Sequence, residues 1–248
     1  MATRQYRSTL YENYATIQVP IWNESNIKHD AVWTHAVMNR LHGWLPPDKS
    51  AQCLDIGCGS GLLLQMLRDA GYSHLSGVDI SPQAVAIATK LGFKVIQADI
   101  LGFLRDSHKS YDLIVAFDVV EHFDKDELIE LATLILRRLT PKGRFILQTP
   151  NALSPWSASV RYGDLTHEWI FDPRCLASTL KMIGFNDIRI REITPYVHGI
   201  FSALRWTLWS LIRMGCAAWN LAETGATEGN VYTRNMVAVA SKPPELHS

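Results

Sequence analysis

The string LDIGCGSG, residues 54–61, places Gly57, Gly59 and Gly61 directly after a short apolar run. Lacking a Cβ, such positions let the backbone turn sharply and approach a ligand closely, with amide groups pointing toward it. A dinucleotide fingerprint asks for glycine at the first, third and sixth positions, and here the sixth is Leu62, which disfavours a nicotinamide-dependent dehydrogenase. Asp79 closes GVDIS at about the separation from the loop where a carboxylate reaches the ribose hydroxyls of a bound nucleotide. A turn aspartate ahead of a helix is the plainer reading. Asp99 stands likewise in QADIL, where its carboxylate can accept from an adenine amino group and the amide of Ile100 can meet a ring nitrogen. A helix cap is its rival, and the two roles can coexist.

These residues need a frame. From about Ala51 short apolar runs alternate with amphipathic stretches, the pattern of repeated βαβ units and a largely parallel sheet. Strands are predicted at 51–56, 74–79, 93–98, 111–117, 143–149, 186–193 and 231–240, and helices at 61–70, 82–91, 125–139 and 173–183. Ser81 followed by Pro82 is a helix start, since proline at the first helical position loses no needed donor. Upstream, 27–45 reads as an amphipathic helix ending before Pro46 and Pro47, so residues 1–45 form an N-terminal helical extension to a single domain spanning 1–248. Stretches 151–170 and 195–229 fit none of these units and are read as insertions that shape the substrate side.

Four segments in order, LDIGCGSG, GVDIS, QADIL and YDLIVAFDVVEHF, resemble the successive motifs of class I S-adenosylmethionine-dependent methyltransferases over roughly residues 45–150. The resemblance implies a Rossmann-like, doubly wound α/β sheet of seven strands with helices on both faces and the last strand antiparallel. It implies S-adenosylmethionine as cofactor, with Asp55 and the three glycines at the methionine end, Asp79 at the ribose and Asp99 at the adenine. Ile80, Ile100 and Phe117 join them in the cofactor site. The segment FDVVEHF lacks the Asn/Asp-Pro-Pro-aromatic motif of amino-methylating members, which points to oxygen as the acceptor. The arrangement QTPN, YGDLTHEW, a GF turn at Gly184 and a Trp-rich tail is similar to methyltransferases of bacterial surface-polysaccharide assembly. It implies a sugar hydroxyl on a nucleotide- or lipid-linked glycan; the related quinone-precursor enzymes imply a phenol.

An alcohol acceptor must lose a proton during or after attack, and an imidazole suits that role. His167, with Asp164 and Glu168 close by to orient it, is the first choice of base; a satisfied loop histidine is the alternative. His122, after the fourth strand, is the second, and with Glu121 it could equally anchor the loop or cap the helix near Asp124. Asp118, Glu121, Asp164 and Glu168 are a conceivable oxygen set for a divalent cation, but no compact ligand spacing supports it, so no metal is expected.

Composition narrows the partners. Lysine plus arginine equals aspartate plus glutamate at 24 each, with no like-charge run, so nucleic acid is not expected. Cys53, Cys58, Cys175 and Cys216 show no metal-ligand pairing and read as reduced core thiols, which with the polar N-terminus suggests the cytoplasm. The stretch His198–Ala222 is too apolar for an ordinary loop, yet Arg205 and Arg213 interrupt it and argue against a membrane span. It is left as a lid over the acceptor, as an interfacial helix giving peripheral contact with the inner membrane surface, or as a dimer contact. A nicotinamide-dependent oxidoreductase and a non-catalytic cofactor-binding module are the competing functions.

Overall fold

The computed structural model describes residues 31–226 and 231–244. Seven strands, β1 (Gln52–Ile56), β2 (His74–Asp79), β3 (Lys94–Gln97), β4 (Tyr111–Phe117), β5 (Leu139–Pro150), β6 (Asn186–Glu192) and β7 (Asn235–Ser241), form one sheet in the order β3-β2-β1-β4-β5-β7-β6. β1 to β5 pair in parallel, whereas β7 lies antiparallel between β5 and β6. The expected Rossmann-like sheet with an antiparallel last strand is therefore the fold.

Alternation along the strands sends successive residues to opposite faces. Leu54, Ile56, Ile114 and Ala116 enter one core, packed under the helices Lys125–Arg138 and Pro173–Ile183. Cys53, Leu113, Val115, Val237 and Val239 enter the other, against the helix Leu62–Asp69 and residues Val37, Leu41 and Trp44. Local chemistry sets the helix ends. Ser81 accepts from the Ala84 amide ahead of Pro82, Asp124 and Glu127 form a reciprocal capping box, and Gly184 closes Pro173–Ile183 at φ 115°.

Several boundaries differ from the sequence reading. β5 begins at Leu139, four residues early, because the Lys242 backbone amide and the Lys242 ammonium bond the Gly143 and Leu139 carbonyls and extend the ribbon. β7 begins at Asn235 rather than 231, since the Thr233 hydroxyl is taken into local bonds with Ile193 and Asn235. A helix not expected from periodicity, Ile100–Asp106, starts at Asp99. The expected helix 27–45 is described only from Ala31 and ends at Arg40; the rest of the 1–45 extension, residues 1–30, lies outside the described residues. The second insertion is regular: Ile200–Thr224 is one 25-residue helix between Gly199 and Gly225. Of the thiols, Cys53 and Cys58 are buried, but Cys175 is exposed and Cys216 half-buried, so only two are core residues. Among the described residues no helix is long and apolar enough to cross a membrane.

Candidate active site

Strand order reverses beside β1, with β2 on one side and β4 on the other, so a crevice opens at the carboxyl ends of these strands. The glycine loop lies there with Gly57, Gly59 and Gly61 at φ 66°, 52° and 87°. A Cβ on Gly57 would sit 2.5 Å from Val119 Cγ2, whereas one on Gly59 would meet nothing within 4 Å. Gly57 thus lets the loop pack under the segment after β4, and Gly59 faces open space among the described residues.

The loop amides do not all point outward as the sequence suggested. Gly57 and Cys58 donate to the Val78 carbonyl at 2.8 and 3.1 Å, and Gly61 donates to Cys58 at 2.9 Å. Gly59 donates to Asp79 Oδ2 at 2.8 Å, while Asp79 Oδ1 accepts from Ser81 N at 2.8 Å. The loop is therefore fastened to β2, with Asp79 as the clasp. Each carboxylate oxygen keeps a further lone pair for a ligand. Burial raises the Asp79 pKa against those donors, and burial followed by the charge of Asp79 raises buried Asp55 well above the usual carboxylate range. Asp99 is the cap of its helix, Oδ2 accepting from Gly102 N at 2.8 Å. Ile80 is exposed, Ile100 and Phe117 half-buried. All nine cofactor-site residues inferred from sequence are carried by β1 to β4 or the loops and the helix start that follow them.

The histidines come from segments far apart in the chain. Asp118, directly after β4, holds a left-handed backbone at φ 55°, with its amide on the Gln148 carbonyl and its carboxylate accepting from Gln148 Nε2 at 2.8 Å. The chain then turns through Val120–His122, burying Glu121. The Glu121 carbonyl accepts from the amides of Glu168 and Trp169, drawing the first insertion across. The rings of His122 and His167 consequently lie 5.1 Å apart between centroids, tilted by 52°.

Hydrogen bonds fix both rings. Thr166 Oγ1 donates its proton to Asp164 Oδ1 at 2.6 Å, so at 2.9 Å from His122 Nδ1 it can only accept. The Thr166 carbonyl, 3.3 Å from the same nitrogen, also only accepts. His122 Nδ1 thus faces two acceptors, and the ring makes a further hydrogen bond to the Asp118 backbone. His167 Nδ1 is 3.0 Å from the Val160 carbonyl. The sequence assigned carboxylate orientation to His167; in the structure the Asp164 carboxylate also reaches His122 through Thr166, and both imidazoles act on it. Burial, then the neighbouring His167, lowers the His122 pKa. On Asp164 burial acts upward, but the Thr166 donors and the two imidazoles outweigh it and hold the carboxyl below its usual range.

Glu121 was expected as a loop anchor, a helix cap or one of four carboxylates. It is fully buried; Oε2 accepts from Thr149 Oγ1 at 3.2 Å, and Oε1 has no hydrogen-bond partner among the described residues. Burial, then the charge of Asp118, raises its pKa well above normal. Ligand atoms of Glu121, His122 and His167 lie within 4.8 Å of one another, a grouping that the spacing of 121, 122 and 167 does not announce. Thr166, Thr149 and Gln148 were missed because nothing marks a lone Thr or Gln as a positioning residue before its neighbours are known.

Beside this pair lies a cleft of about 910 Å³, bordered by Val160, whose carbonyl holds His167. Trp33, Trp156 and Tyr196 offer rings and Arg40, Arg205 and Arg234 offer guanidinium groups, with no carboxylate among its described lining residues. Both insertions contribute to it.

The chain can be set beside known proteins. It is 30% identical over 166 residues to the ubiquinone biosynthesis O-methyltransferase of Xylella fastidiosa, covering 60% of this chain and 62% of that one. It is 30% identical over 125 residues to the mouse EEF1A lysine methyltransferase 2, covering 48% of this chain and 50% of that one. The matches thus span about half to three fifths of these relatives. A solved SAM dependent methyltransferase from Archaeoglobus fulgidus shares the fold at TM-score 0.63 and 24% identity, over 84% of this chain and 94% of that one. A family model described as a methyltransferase domain matches residues 28–190. That match takes in the glycine loop, Asp79, Asp99 and the paired histidines alike, and the chain belongs to the methyltransferase-domain family.

Proposed function

We propose that this methyltransferase takes its methyl group from S-adenosylmethionine and delivers it to a hydroxyl of a small acceptor, with a sugar hydroxyl on a nucleotide- or lipid-linked glycan as first candidate. The observation that carries the reading is the pairing of the His122 and His167 rings, with the Asp164–Thr166–His122 chain on one side and, on the other, the Val160 carbonyl that holds His167 and borders a large open cleft. Methyl transfer from a sulfonium is a displacement at carbon, so catalysis comes mainly from holding the oxygen in line with the departing sulfur. The acceptor oxygen forms the new C–O bond, the C–S pair leaves with sulfur, and the hydroxyl proton passes to the His122 imidazole. Asp55 and the glycine loop hold the methionine end, Asp79 and Ile80 the ribose, Asp99 and Ile100 the adenine, and Phe117 lines the site.

The cleft supports an acceptor with a flat or ring-shaped body and a negative charge: aromatic faces stack on rings, and arginine forks suit phosphate or carboxylate. A phenol is the second acceptor, favoured by the similarity to the ubiquinone-pathway enzyme and by the lowered pKa of His122, since a weaker base serves a more acidic hydroxyl.

A different reading of the same cluster also has an observation behind it. Both imidazoles have Nδ1 against acceptors, Glu121 has a buried oxygen without a partner among the described residues, and ligand atoms of the three lie within 4.8 Å, a donor set that fits a divalent cation. Such an ion, when bound, supplies Lewis acidity that eases loss of the acceptor proton. Turnover that falls after dialysis against a chelator and returns with Mg²⁺ or Mn²⁺ supports it; turnover indifferent to the chelator leaves His122 as base.

Calorimetry with S-adenosylmethionine, S-adenosylhomocysteine and NADH tests the cofactor. Binding of the two sulfur compounds alone is expected; binding of NADH alone overturns the assignment in favour of an oxidoreductase. Methyl incorporation is then followed by mass spectrometry with sugar nucleotides, lipid-linked sugars and dihydroxyphenols. Cofactor binding without product from any hydroxyl compound would instead identify a non-catalytic binding module.

A further inference from the structure

The helix Ile200–Thr224 is held to the domain along one side only. Ser202 is buried and its Oγ bonds the amides of His198 and Gly199, the ring of Trp209 lies 6.4 Å from that of Trp156, and Arg213 pairs with Glu192 of β6 at 2.9 Å. The opposite side is exposed and apolar, with Ile200 at 80%, Phe201 at 84% and Trp219 at 71% of full accessibility.

That outward side carries a regular seam. Phe201, Leu204, Leu208, Leu211, Gly215, Ala218 and Ala222 follow one another at alternating spacings of three and four residues, and every one of them is exposed. Seven-residue repetition of this kind keeps one stripe facing a partner helix along the whole length. The seam is graded: its first half is bulky, its second half small. Antiparallel pairing with an identical helix places Phe201 opposite Ala222, Leu204 opposite Ala218 and Leu208 opposite Gly215, large against small at each level. Leu211, at the centre, then meets its own counterpart on the two-fold axis. Such a surface is self-complementary in the way a closed two-fold contact requires.

The flanks agree. Arg205 lies beside the bulky half, and Trp219 and Glu223 beside the small half, where the Trp219 indole donates to Glu223 Oε2 at 3.1 Å. The same antiparallel register brings Arg205 of one copy to the Trp219 ring and Glu223 carboxylate of the other, a cation–π and charge pairing made twice. A lipid surface fits less well: the polar face of an interfacial helix is normally rich in Lys and Arg, whereas this helix has only Arg205 and Arg213, and Arg213 is already paired within the domain.

We infer that the protein forms a two-fold dimer through antiparallel pairing of the outward seams of Ile200–Thr224. Because Arg205 and Ile212 border the acceptor cleft, the partner helix would close its outer rim.

The test uses the full chain. Light scattering after gel filtration is expected to give a dimer, and Leu211→Glu, an exposed substitution, a monomer with the melting temperature and S-adenosylmethionine binding of the parent. In a Cys175→Ser, Cys216→Ser background, mild oxidation should link Leu211→Cys chains into a covalent dimer and leave Leu204→Cys chains unlinked. Linking at both positions would mean parallel pairing and overturn the register. A monomeric parent, or a dimer that Leu211→Glu leaves intact, would overturn the proposal, as would a monomer that sediments with anionic phospholipid vesicles.

Discussion

His122 Nδ1 lies 2.9 Å from the hydroxyl of Thr166, a residue 44 positions further along the chain. Because that hydroxyl is already committed to Asp164 at 2.6 Å, it presents an acceptor to the imidazole. A turn in the first insertion thus orients a residue that follows β4.

Replacing Thr166 by valine keeps the shape and removes the acceptor. Turnover is expected to fall by about 10-fold or more with S-adenosylmethionine affinity unchanged, while His122→Ala costs on the order of 100-fold or more. The Asp164→Asn, Thr166→Val double variant should be no worse than Thr166→Val alone, since the two residues act in series. Steady-state kinetics on the four proteins checks this; additive losses would remove the relay from the mechanism.

Acid should inhibit later than an ordinary imidazole would allow. In the proposed mechanism the base is neutral His122, and burial followed by the His167 charge lowers its pKa, so the neutral form persists below the usual value of about 6.5. The acidic limb of kcat/KM is expected below that value. The sign for stability is the same: a histidine harder to protonate when folded costs nothing above its unfolded pKa and destabilises the fold as pH drops below it toward the lowered folded value.

Gly57 and Gly59 should respond differently to alanine. At Gly57 a Cβ meets Val119 Cγ2 at 2.5 Å on a backbone at φ 66°, and the combined clash and left-handed strain should destabilise by about 2–5 kcal/mol. Adding Val119→Ala should recover part of that loss. Gly59→Ala has open space around its Cβ and only backbone strain, about 1–2 kcal/mol, so its larger effect should be on cofactor affinity. Denaturant unfolding and calorimetry separate the two outcomes.

Glu121→Gln should stabilise the protein and impair it. Burial, then Asp118, raises the folded-state pKa of Glu121 well above its unfolded value, so the parent loses stability as pH climbs from the unfolded value through the raised one. Glutamine abolishes that slope; at pH 8 the variant should be more stable by about 1–3 kcal/mol, the cost of a buried unsatisfied group. Turnover should drop, whether the carboxylate holds a cation or sets the loop, and thermal melts across pH reveal the diverging curves.

Asp79 fastens the glycine loop by accepting from two amides at 2.8 Å each. Asp79→Asn retains one acceptor and Asp79→Ala none, so affinity for S-adenosylmethionine should decline in that order, beyond 100-fold for alanine. The same order is expected in stability, at about 1 kcal/mol per lost bond. Equal affinity in all three proteins would take Asp79 out of the cofactor site.

Much of this was legible without coordinates. Alternating apolar runs identified all seven strands, because a parallel sheet covered on both faces demands near-continuous apolar segments. The places of Gly57, Asp79 and Asp99 at the ends of β1, β2 and β3 were visible because they follow from short-range geometry: a strand end, a turn, a helix start. The short helix Ile100–Asp106 escaped because seven residues carry too little periodicity to register, even with its cap at Asp99 in view.

The amino-acid sequence by itself determined the succession of strands along the chain and the glycine loop, since these rest on local pattern. Only the tertiary structure decided that Asp164 reaches His122 through Thr166, that buried Glu121 lies among two imidazoles, and that the amides of Gly57, Cys58 and Gly59 are spent on β2. Those relations join residues from separate segments across hydrogen bonds about 3 Å long. A hydrogen bond is specified by distance and direction in space, and spacing along a chain carries neither until the sheet has brought its loops together.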